Sequence, residues 1–252
     1  CKVGIKMNFL TTPKSLTDAQ ITSNITTQIN GLKANPEICA WNLDPEEMRY
    51  WYSNEIHYMQ VAYNAIKAAD PCNRPVFMYE PGNRSASDLA HTVPYQDMLG
   101  MGIYTNYSSL KYKRVYARWC IEQEKQAITS AHPTAFAFAI PEMFEEFPCG
   151  TGITESDRLL LGTWARHDCY LSLVSGAKFI TVFSGAHRPE FPDADYDLYY
   201  NGYLSVANEL NKDLQLGRVF LFGQKRTDIH LTYTSGSPTA ALVSDTGCTG
   251  YP

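Results

Sequence analysis

The features that would identify a function at once are missing from this sequence. No run of about 18 apolar residues occurs, so no membrane span is predicted. The net charge is -5 and no Lys/Arg cluster is present, which argues against nucleic acid or an anionic bilayer as a partner. No Gly-rich phosphate loop or Gly-x-Ser-x-Gly motif occurs, and the six histidines lack metal-ligand spacing. We therefore expect no cofactor and no metal.

Cysteine occurs seven times, without the paired close spacing of a zinc or redox site. This pattern predicts scattered disulfides, with one cysteine left over. Cys39 lies at the start of one predicted strand and Cys72 just before the next, and Cys120 and Cys169 lie on successive predicted helices. We take these two pairs as the candidate disulfides.

Three Asn-x-Ser/Thr sequons stand at Asn24, Asn83 and Asn106. Together with the cysteines they favour a secreted, extracellular chain that carries N-linked glycans. No signal-peptide pattern is present, and Cys1 already begins a strand-like run. We expect that processing or truncation has removed what came before it.

Runs rich in β-branched and aromatic residues alternate with segments of helical spacing, which is typical of a parallel sheet with crossover helices. Six such β/α units follow one another along the chain. The predicted strands are 2–10, 38–43, 74–80, 101–107, 134–142 and 178–185, and the predicted helices are 15–34, 46–70, 95–99, 111–131, 154–177 and 199–214.

The length of 252 residues and the six units predict an α/β fold, a (β/α)8 TIM-type barrel over residues 1–216 that lacks its first one or two β/α units. An open Rossmann-like sheet is the alternative. Residues 217–252 contain alternating runs separated by Gly, Ser and Pro. They predict a small C-terminal element of antiparallel β-strands.

In a barrel of this kind the active site lies at the C-terminal ends of the strands. Asp44 and Glu142 end two different strands and predict a pair of catalytic carboxylates, as glycoside hydrolysis requires. The polar and aromatic residues at the strand ends are the candidates for substrate binding: Trp41, Asn42, Tyr79, Glu80, Tyr104, Phe144, His187 and Arg188.

Several candidates also have a structural interpretation. Asp44 before Pro45 fits the N-cap and first position of a helix, with Glu46 and Glu47 favoured by the helix dipole. Aromatic residues such as Trp41 are at least as common in packing as in sugar stacking. Asn106 could bind a sugar hydroxyl or carry a glycan, but not easily both.

If the last strand is counted as strand eight, residues 2–10 become strand three, 38–44 become strand four and 134–142 become strand seven. This layout, with "NLDP" at Asp44 and "IPEMF" at Glu142, resembles clan A glycoside hydrolases, the β-galactosidase-like and cellulase-like barrels. The resemblance implies that Asp44 is the acid/base and Glu142 the nucleophile. The sequence departs from the family pattern at Leu43, where Asn or Asp is usual, and in having Asp44 instead of Glu.

Two functions are therefore carried forward. The first is a glycoside hydrolase that acts on an oligo- or polysaccharide by a two-carboxylate mechanism. The second is a barrel that has lost catalysis and serves as an extracellular carbohydrate-binding or structural domain, including in self-assembly. The departures at Leu43 and Asp44 motivate the second function.

Overall fold

The computed structural model describes residues 6–107, 113–144, 153–187 and 191–223. The chain divides into two compact units. The first unit comprises Cys1–Ile103, Cys120–Ile140 and Phe179–Thr181, and the second comprises Tyr104–Trp119, Pro141–Lys178 and Val182–Pro252.

Strands and helices alternate along the described residues. The strands are β1 (Lys6–Thr11), β2 (Ile38–Asp44), β3 (Val76–Phe77), β4 (Tyr79–Glu80), β5 (Met98–Ile103), β6 (Phe136–Pro141) and β7 (Phe179–Ile180). The helices are α1 (Asp18–Leu32), α2 (Ser53–Ala69), α3 (Ala86–Leu89), α4 (Tyr116–Ala131), α5 (Glu155–Arg158), α6 (Leu161–Ser175), α7 (Asp193–Asn208) and α8 (Gly217–Phe222). A 3₁₀ turn covers Val93–Tyr95, and a π-helical turn, Glu209–Asp213, extends α7.

The strands form two sheets, in the orders β1-β2-β3 and β4-β5-β6-β7. β1 and β2 pair in parallel, as do β2 and β3, β4 and β5, and β6 and β7. The predicted α/β fold with parallel sheets is confirmed. Among residues 6–107, 113–144, 153–187 and 191–223 the strands do not close into a barrel.

Helices α1 and α2 cover one side of β1 and β2 in the first unit. Ile21, Ile25 and Ile29 recur at helical spacing on α1 and are fully buried, as the sequence predicts. Thr17 is the N-cap of α1 and forms a capping box with Gln20. Thr17 has the three-residue spacing to a Gln that a capping box needs.

In the second unit, α6 and α7 pack against each other around Leu161, Trp164 and Tyr199. Their close approach depends on glycine. A Cβ atom added at Gly202 of α7 would lie 2.7 Å from the carbonyl oxygen of Gly162 on α6. No side chain larger than hydrogen fits at this contact, so the two glycines fix where the helices meet.

Three predicted boundaries were wrong. The helix predicted from residue 46 begins at Ser53, so Asp44 is not its N-cap and Glu46 and Glu47 are not in its first turn. Glu47 adopts a left-handed conformation with φ 57°, which is incompatible with the first turn of an α-helix. Strand β5 begins at Met98, and Thr105 to Tyr107 form a turn instead of a strand end.

The C-terminal β element was predicted from residue 217. Residues Gly217–Phe222 form helix α8 instead, so the strand prediction was wrong there. The run "GRVFLF" is rich in β-branched and aromatic residues. It is nevertheless helical, and the Gly223 N–H donates to the Val219 carbonyl oxygen at 2.7 Å. The rest of the predicted element lies outside the described residues.

Both predicted disulfides were wrong. Cys39, Cys72 and Cys169 are free thiols, so neither predicted pair is formed. Cys120 is buried on α4, where its thiol donates to the Gly82 carbonyl oxygen at 3.9 Å, and Cys169 is buried on α6. Burial raises the pKa of Cys169, so it packs as a small apolar side chain. Among the described helices none is long and apolar enough to cross a bilayer.

Candidate active site

Glu142 directly follows the last residue of β6, as the sequence predicts. It forms a parallel bridge with Phe183, where the Met143 N–H donates to the Phe183 carbonyl oxygen at 2.7 Å and the Phe183 N–H donates to the Pro141 carbonyl oxygen at 3.0 Å. These bonds continue the parallel pairing of β6 and β7 beyond its last register pair, Ala139 with Ile180, and fix the Glu142 backbone. The side chain is 1% exposed, so its carboxyl group needs internal partners.

The turn after β5 supplies those partners. The Thr105 hydroxyl donates to Glu142 Oε1 at 3.0 Å, and the Asn106 backbone N–H donates to the same oxygen at 2.7 Å. The Tyr107 backbone N–H donates to Oε2 at 3.1 Å. Two successive N–H groups and a hydroxyl thus converge on one carboxylate.

Burial raises the pKa of Glu142 from 4.5 to about 7, although the Arg114 guanidinium and the N–H groups of Asn106 and Tyr107 favour the ionised form. The Asp168 carboxylate adds to the rise. A carboxyl group with a pKa near neutrality can be a proton donor or, once ionised, a base or nucleophile. Strongly perturbed groups of this kind are concentrated at functional sites.

A buried ion pair lies behind the turn. Arg114, which precedes α4, donates through Nε to Asp168 Oδ1 at 3.0 Å and through Nη2 to Asp168 Oδ2. Its Nη1 donates to Asn106 Oδ1 at 2.9 Å. The guanidinium also lies 4.8 Å from the centre of the Trp164 ring. Although burial disfavours its charge, the Asp168 carboxylate raises the pKa of Arg114, so the guanidinium stays charged.

Two tyrosines of α7 complete the enclosure. The Tyr203 hydroxyl donates to the Glu142 carbonyl oxygen at 2.5 Å, and the Tyr199 hydroxyl accepts from Asn106 Nδ2. Burial and the Glu142 carboxylate raise the pKa of Tyr199. Both hydroxyls therefore remain neutral at physiological pH and act as hydrogen-bonding groups only.

Four aromatic rings cluster beside Glu142 in the same unit. The Tyr104 ring centre lies 5.0 Å from that of Phe144 and 5.9 Å from that of Phe183, and the Tyr107 ring lies 5.6 Å from Phe144. Tyr104 and Phe144 are buried, but Phe183 is 40% exposed, so the cluster reaches the surface at this ring. Aromatic faces can stack on the apolar faces of sugars.

The structure thus brings Glu142, Tyr104 and Phe144 together. The other predicted site residues have different neighbours. Trp41 is fully buried, donates through Nε1 to Asp70 Oδ2 at 2.8 Å and packs under the Arg74 guanidinium. It is a core residue, and its predicted role in sugar binding was wrong because no face of the ring is accessible.

Asn42 and Asp44 lie on β2 in the first unit. Asn42 is buried, and within the part of the chain that the structure describes its Oδ1 has no hydrogen-bond partner. Asp44 is half-buried and pairs in register with Thr11 of β1, whose hydroxyl donates to Asp44 Oδ2 at 3.0 Å. Its predicted role as the acid/base stays a prediction.

Tyr79 and Glu80 form β4. The Tyr79 ring is buried, and its carbonyl oxygen accepts from the Glu47 N–H at 3.2 Å. Glu80 is fully buried and accepts from Arg84, from the Thr92 hydroxyl at 2.6 Å and from Gln96 Nε2 at 2.7 Å. These three donors hold its carboxylate inside the first unit, and substrate binding by Glu80 stays a prediction.

His187 is half-exposed after β7. Its Nε2 lies 2.7 Å from the Phe191 carbonyl oxygen and 3.3 Å from Asp193 Oδ1, and its ring lies 4.7 Å from that of Tyr196. These contacts attach His187 to the start of α7, and substrate binding by it stays a prediction. Arg188 lies outside the described residues.

The three sequons differ in accessibility. Asn24 on α1 and Asn83 before α3 are exposed. Asn106 is buried, and both atoms of its side-chain amide are engaged with Arg114 and Tyr199. The folded chain therefore cannot carry a glycan at Asn106, and that prediction was wrong.

Arg114, Asp168, Thr105 and Tyr199 were not predicted as site residues. Of these residues, Asp168 is the one that the sequence pattern could have indicated. It follows Trp164 by four residues and Ala165 by three, so a charge stands on the apolar face of a helix. Such a buried charge requires a partner, but its partner Arg114 is 54 residues away and has no recognisable spacing to it.

No protein-family model matches the chain, and no curated protein matches it. Solved structures of a β-glucuronidase from Ruminococcus gnavus are similar in part. One has a TM-score of 0.46 at 10% identity and covers 73% of this chain and 35% of the other. Its complexes with a C6-substituted uronic isofagomine and with D-glucuronic acid have TM-scores of 0.45 and 0.44 at 10% and 12% identity, and each covers 66% of this chain and 29% of the other.

The chain thus spans about a third of the length of the solved structures it matches. At TM-scores below 0.5 the likeness carries no argument about the activity of this chain. The resemblance to clan A glycoside hydrolases stays a prediction, and the function has to be argued from the residues themselves.

Proposed function

We propose that this protein is a glycoside hydrolase-like enzyme in which Glu142 is the nucleophile that acts on a carbohydrate. One observation carries the proposal. Glu142 is a buried carboxyl group at the end of a parallel strand, and its pKa is raised to about 7. A carboxylate in that position, lined by N–H donors and beside aromatic rings, has the chemistry that attack on a sugar requires.

The donors around Glu142 explain how it would work. Near pH 7 about half of the molecules hold it ionised, because its pKa is about 7. The Thr105 hydroxyl and the N–H groups of Asn106 and Tyr107 stabilise the ionised form and aim its oxygens. Partial desolvation leaves the carboxylate more reactive than an exposed one, which water would solvate.

The aromatic cluster favours a sugar over other substrates. Tyr104, Phe144 and Phe183 offer ring faces and edges within 6.1 Å of one another. A pyranose ring has apolar C–H faces that stack on such rings, while its hydroxyl groups need polar partners. We propose that the exposed Phe183 ring is where the substrate first meets this cluster.

A complete mechanism needs a second carboxyl group. By the resemblance stated above, Asp44 would be the acid/base, and the sheets would belong to a (β/α)8 barrel that lacks its first units. A retaining mechanism separates the two carboxyl groups by about 5 to 5.5 Å and an inverting one by about 6.5 to 9.5 Å. Asp44→Asn is expected to slow the hydrolysis of substrates with poor leaving groups more than that of activated aryl glycosides.

A panel of aryl glycosides tests the proposal directly. Turnover by the wild type and by Glu142→Gln is compared between pH 5 and 9, with Glu155→Gln as the matched control because Glu155 is 94% exposed. Loss of turnover by about a thousandfold or more in Glu142→Gln alone supports the proposal. Because the nucleophile must be ionised, wild-type turnover should fall as the pH drops below about 7. Equal turnover by both variants would contradict it.

One observation favours a second function, a carbohydrate-binding or structural domain without catalysis. Glu142 is 1% exposed and its carboxylate already accepts three hydrogen bonds, as a structural carboxylate does. This function predicts that glycans bind to the wild type and to Glu142→Gln with equal affinity and that neither turns them over. Isothermal titration with the same glycosides separates the two functions.

We also propose that the protein is secreted and glycosylated at Asn24 and Asn83, since both side chains are exposed. Expression through a eukaryotic secretory pathway, followed by glycosidase treatment, measures this. A mass shift for two glycans, lost in Asn24→Gln/Asn83→Gln, is expected.

A further inference from the structure

We propose that Arg114, clamped by Asp168, is a positioning residue that holds the 105–107 turn against Glu142 and sets the charge state of that carboxylate. This role deepens the proposed function, and rests on it only where turnover is the readout. Arg114 bonds to Asp168 and to Asn106, and the Asn106 backbone N–H bonds to the Glu142 carboxylate. They act through Asn106 and through their charges.

The clamp itself has a defined geometry. Asp168 binds the Arg114 guanidinium through both carboxylate oxygens, and the side chains are 1% and 8% exposed. A bidentate pair fixes the plane of the guanidinium as well as its position. The Trp164 ring, 4.8 Å from the guanidinium carbon, covers one face of it. The remaining nitrogen, Nη1, is left to point at Asn106 Oδ1, 2.9 Å away.

Asn106 transmits that geometry to Glu142. Its Oδ1 accepts from Arg114 and its Nδ2 donates to the Tyr199 hydroxyl, so the side-chain amide is held at both ends. Its backbone N–H donates to Glu142 Oε1 at 2.7 Å. A residue anchored on its side chain cannot rotate its peptide group freely. The clamp therefore holds a donor in place on the carboxylate.

The titratable groups around Glu142 lie on four segments of the chain. Arg114 lies in the turn before α4, Asp168 on α6, Tyr199 and Tyr203 on α7, and Tyr107 in the turn after β5. Burial raises the pKa of Tyr199 and of Tyr203, so both hydroxyls are neutral at physiological pH. Arg114 favours the ionised form of Glu142 and Asp168 opposes it, with Arg114 the stronger influence. The two members of the pair should therefore move the Glu142 pKa in opposite directions when each is removed.

A purely structural brace predicts something else. If Arg114 and Asp168 only supported the turn, loss of either would loosen it and admit water. Water around a buried carboxyl group lowers its pKa toward the ordinary value of 4.5. Both variants would then shift the pKa downward. The sign of the shift in the arginine variant distinguishes a positioning role from a brace.

The experiment is a carbon-13 NMR titration of protein labelled at the glutamate carboxyl carbons, with the Glu142 signal assigned by its absence in Glu142→Gln. We expect Arg114→Met to raise the Glu142 pKa by about one unit and Asp168→Asn to lower it. The matched control is Arg84→Met, which removes the same charge from an equally buried ion pair, with Glu80 in the first unit. It should leave the Glu142 pKa unchanged. A pKa that stays level or falls in Arg114→Met overturns the proposal.

Arg114→Met removes the guanidinium from both oxygens of the buried Asp168 and leaves the contact of its Oδ1 with His167 Nδ1 at 3.0 Å, so a second variant guards against unfolding. Arg114→Met/Asp168→Leu replaces the pair with apolar side chains, a change that buried ion pairs often tolerate. Because Arg114 acts more strongly on Glu142 than Asp168 does, the pKa should still rise, by less than in the single variant. An unchanged or lower pKa in the double variant overturns the proposal as well.

Turnover gives an independent readout. With an aryl glycoside substrate, Arg114→Met should shift the acid limb of the pH–rate profile upward by the same amount as the NMR titration, while Arg84→Met leaves it in place. If the wild type turns over no glycoside, the proposed function fails, and the NMR titration still decides the role of Arg114. If turnover is present but the acid limb does not move in Arg114→Met, the positioning role fails and the proposed function stands.

Discussion

Glu80 in the first unit and Glu142 in the second are both buried carboxyl groups at the ends of parallel strands, but different groups stabilise their negative charges. Glu80 accepts directly from the Arg84 guanidinium, and from Thr92 and Gln96. Glu142 accepts from a hydroxyl and two backbone N–H groups. The Arg114 guanidinium bonds to Asn106, whose backbone N–H is one of these donors.

This difference separates a structural carboxylate from a reactive one. A carboxylate in direct contact with an arginine is committed to that pair, and the pair has to be broken before the carboxylate can do chemistry. Backbone N–H groups stabilise a negative charge without neutralising it. Burial raises the pKa of both carboxyl groups; at Glu142 it outweighs the N–H donors and Arg114, which lower the pKa, and the result is a pKa of about 7, at which Glu142 can exchange its proton in the physiological range.

The largest effect is expected at the direct ion pair. Arg84→Met leaves the Glu80 carboxylate buried without its cation, which should lower the free energy of unfolding by about 3 to 5 kcal/mol. Urea unfolding measures the loss. Arg166→Met is the control, since its pair with Glu209 is partly exposed to solvent and its loss should be smaller. Equal losses in both variants would remove the distinction between a buried and a surface pair.

Glu142 should make stability depend on pH. Because its pKa of about 7 in the folded protein exceeds the ordinary value of 4.5, the folded state holds the proton more tightly than the unfolded chain. The stability this provides is present below pH 4.5 and is lost as the pH rises through 7, a change of about 3 kcal/mol. Glu142→Gln should remove that part of the pH dependence when urea unfolding is compared at pH 4.5 and 8. Parallel curves for the two proteins would contradict the raised pKa.

A smaller effect is expected at the hydroxyl donor. Thr105→Val removes a hydrogen bond to the Glu142 carboxylate, with a cost of about 2 kcal/mol at pH 8, where that group is ionised. At pH 5 the neutral carboxyl group depends less on the donor, so the cost should be smaller. Thr105→Ser keeps the hydroxyl and is the control. A cost that does not change with pH would mean that Thr105 acts through packing alone.

The smallest effect is expected at a third buried carboxyl group. Glu124 on α4 accepts from the Met101 N–H at 2.8 Å, while its Oε2 has no hydrogen-bond partner among the described residues. Burial raises the pKa of Glu124 well above its ordinary value, which favours the neutral form. Glu124→Gln has nearly the same shape and charge, and should change the free energy of unfolding by less than about 1 kcal/mol at pH 7. A loss as large as that of Arg84→Met would show an ionised Glu124.

The order of strands and helices, and Glu142 itself, could be predicted from the sequence because they depend on local signals. Ile21, Ile25 and Ile29 recur at helical spacing, and Thr154 caps α5 through Asp157 three residues later. Glu142 follows the apolar run of β6, where an unpaired carboxylate has no simple structural explanation.

The surroundings of these residues could not be predicted, because they depend on contacts between distant parts of the chain. Trp41 lies in the middle of β2 and Glu80 at the end of β4, and their partners Asp70 and Arg84 hold both side chains in the core. The Arg114 and Asp168 pair that controls Glu142 has no local pattern. At α8, the local strand propensity of "GRVFLF" was overridden by the fold.

The most direct test of the account is the titration of Glu142 in the wild-type protein, followed through its carboxyl carbon by NMR. We predict an apparent pKa of about 7 for Glu142. An apparent pKa below about 5, the range of an ordinary exposed glutamate, would contradict a poised carboxyl group at this site and with it the proposed role of Glu142.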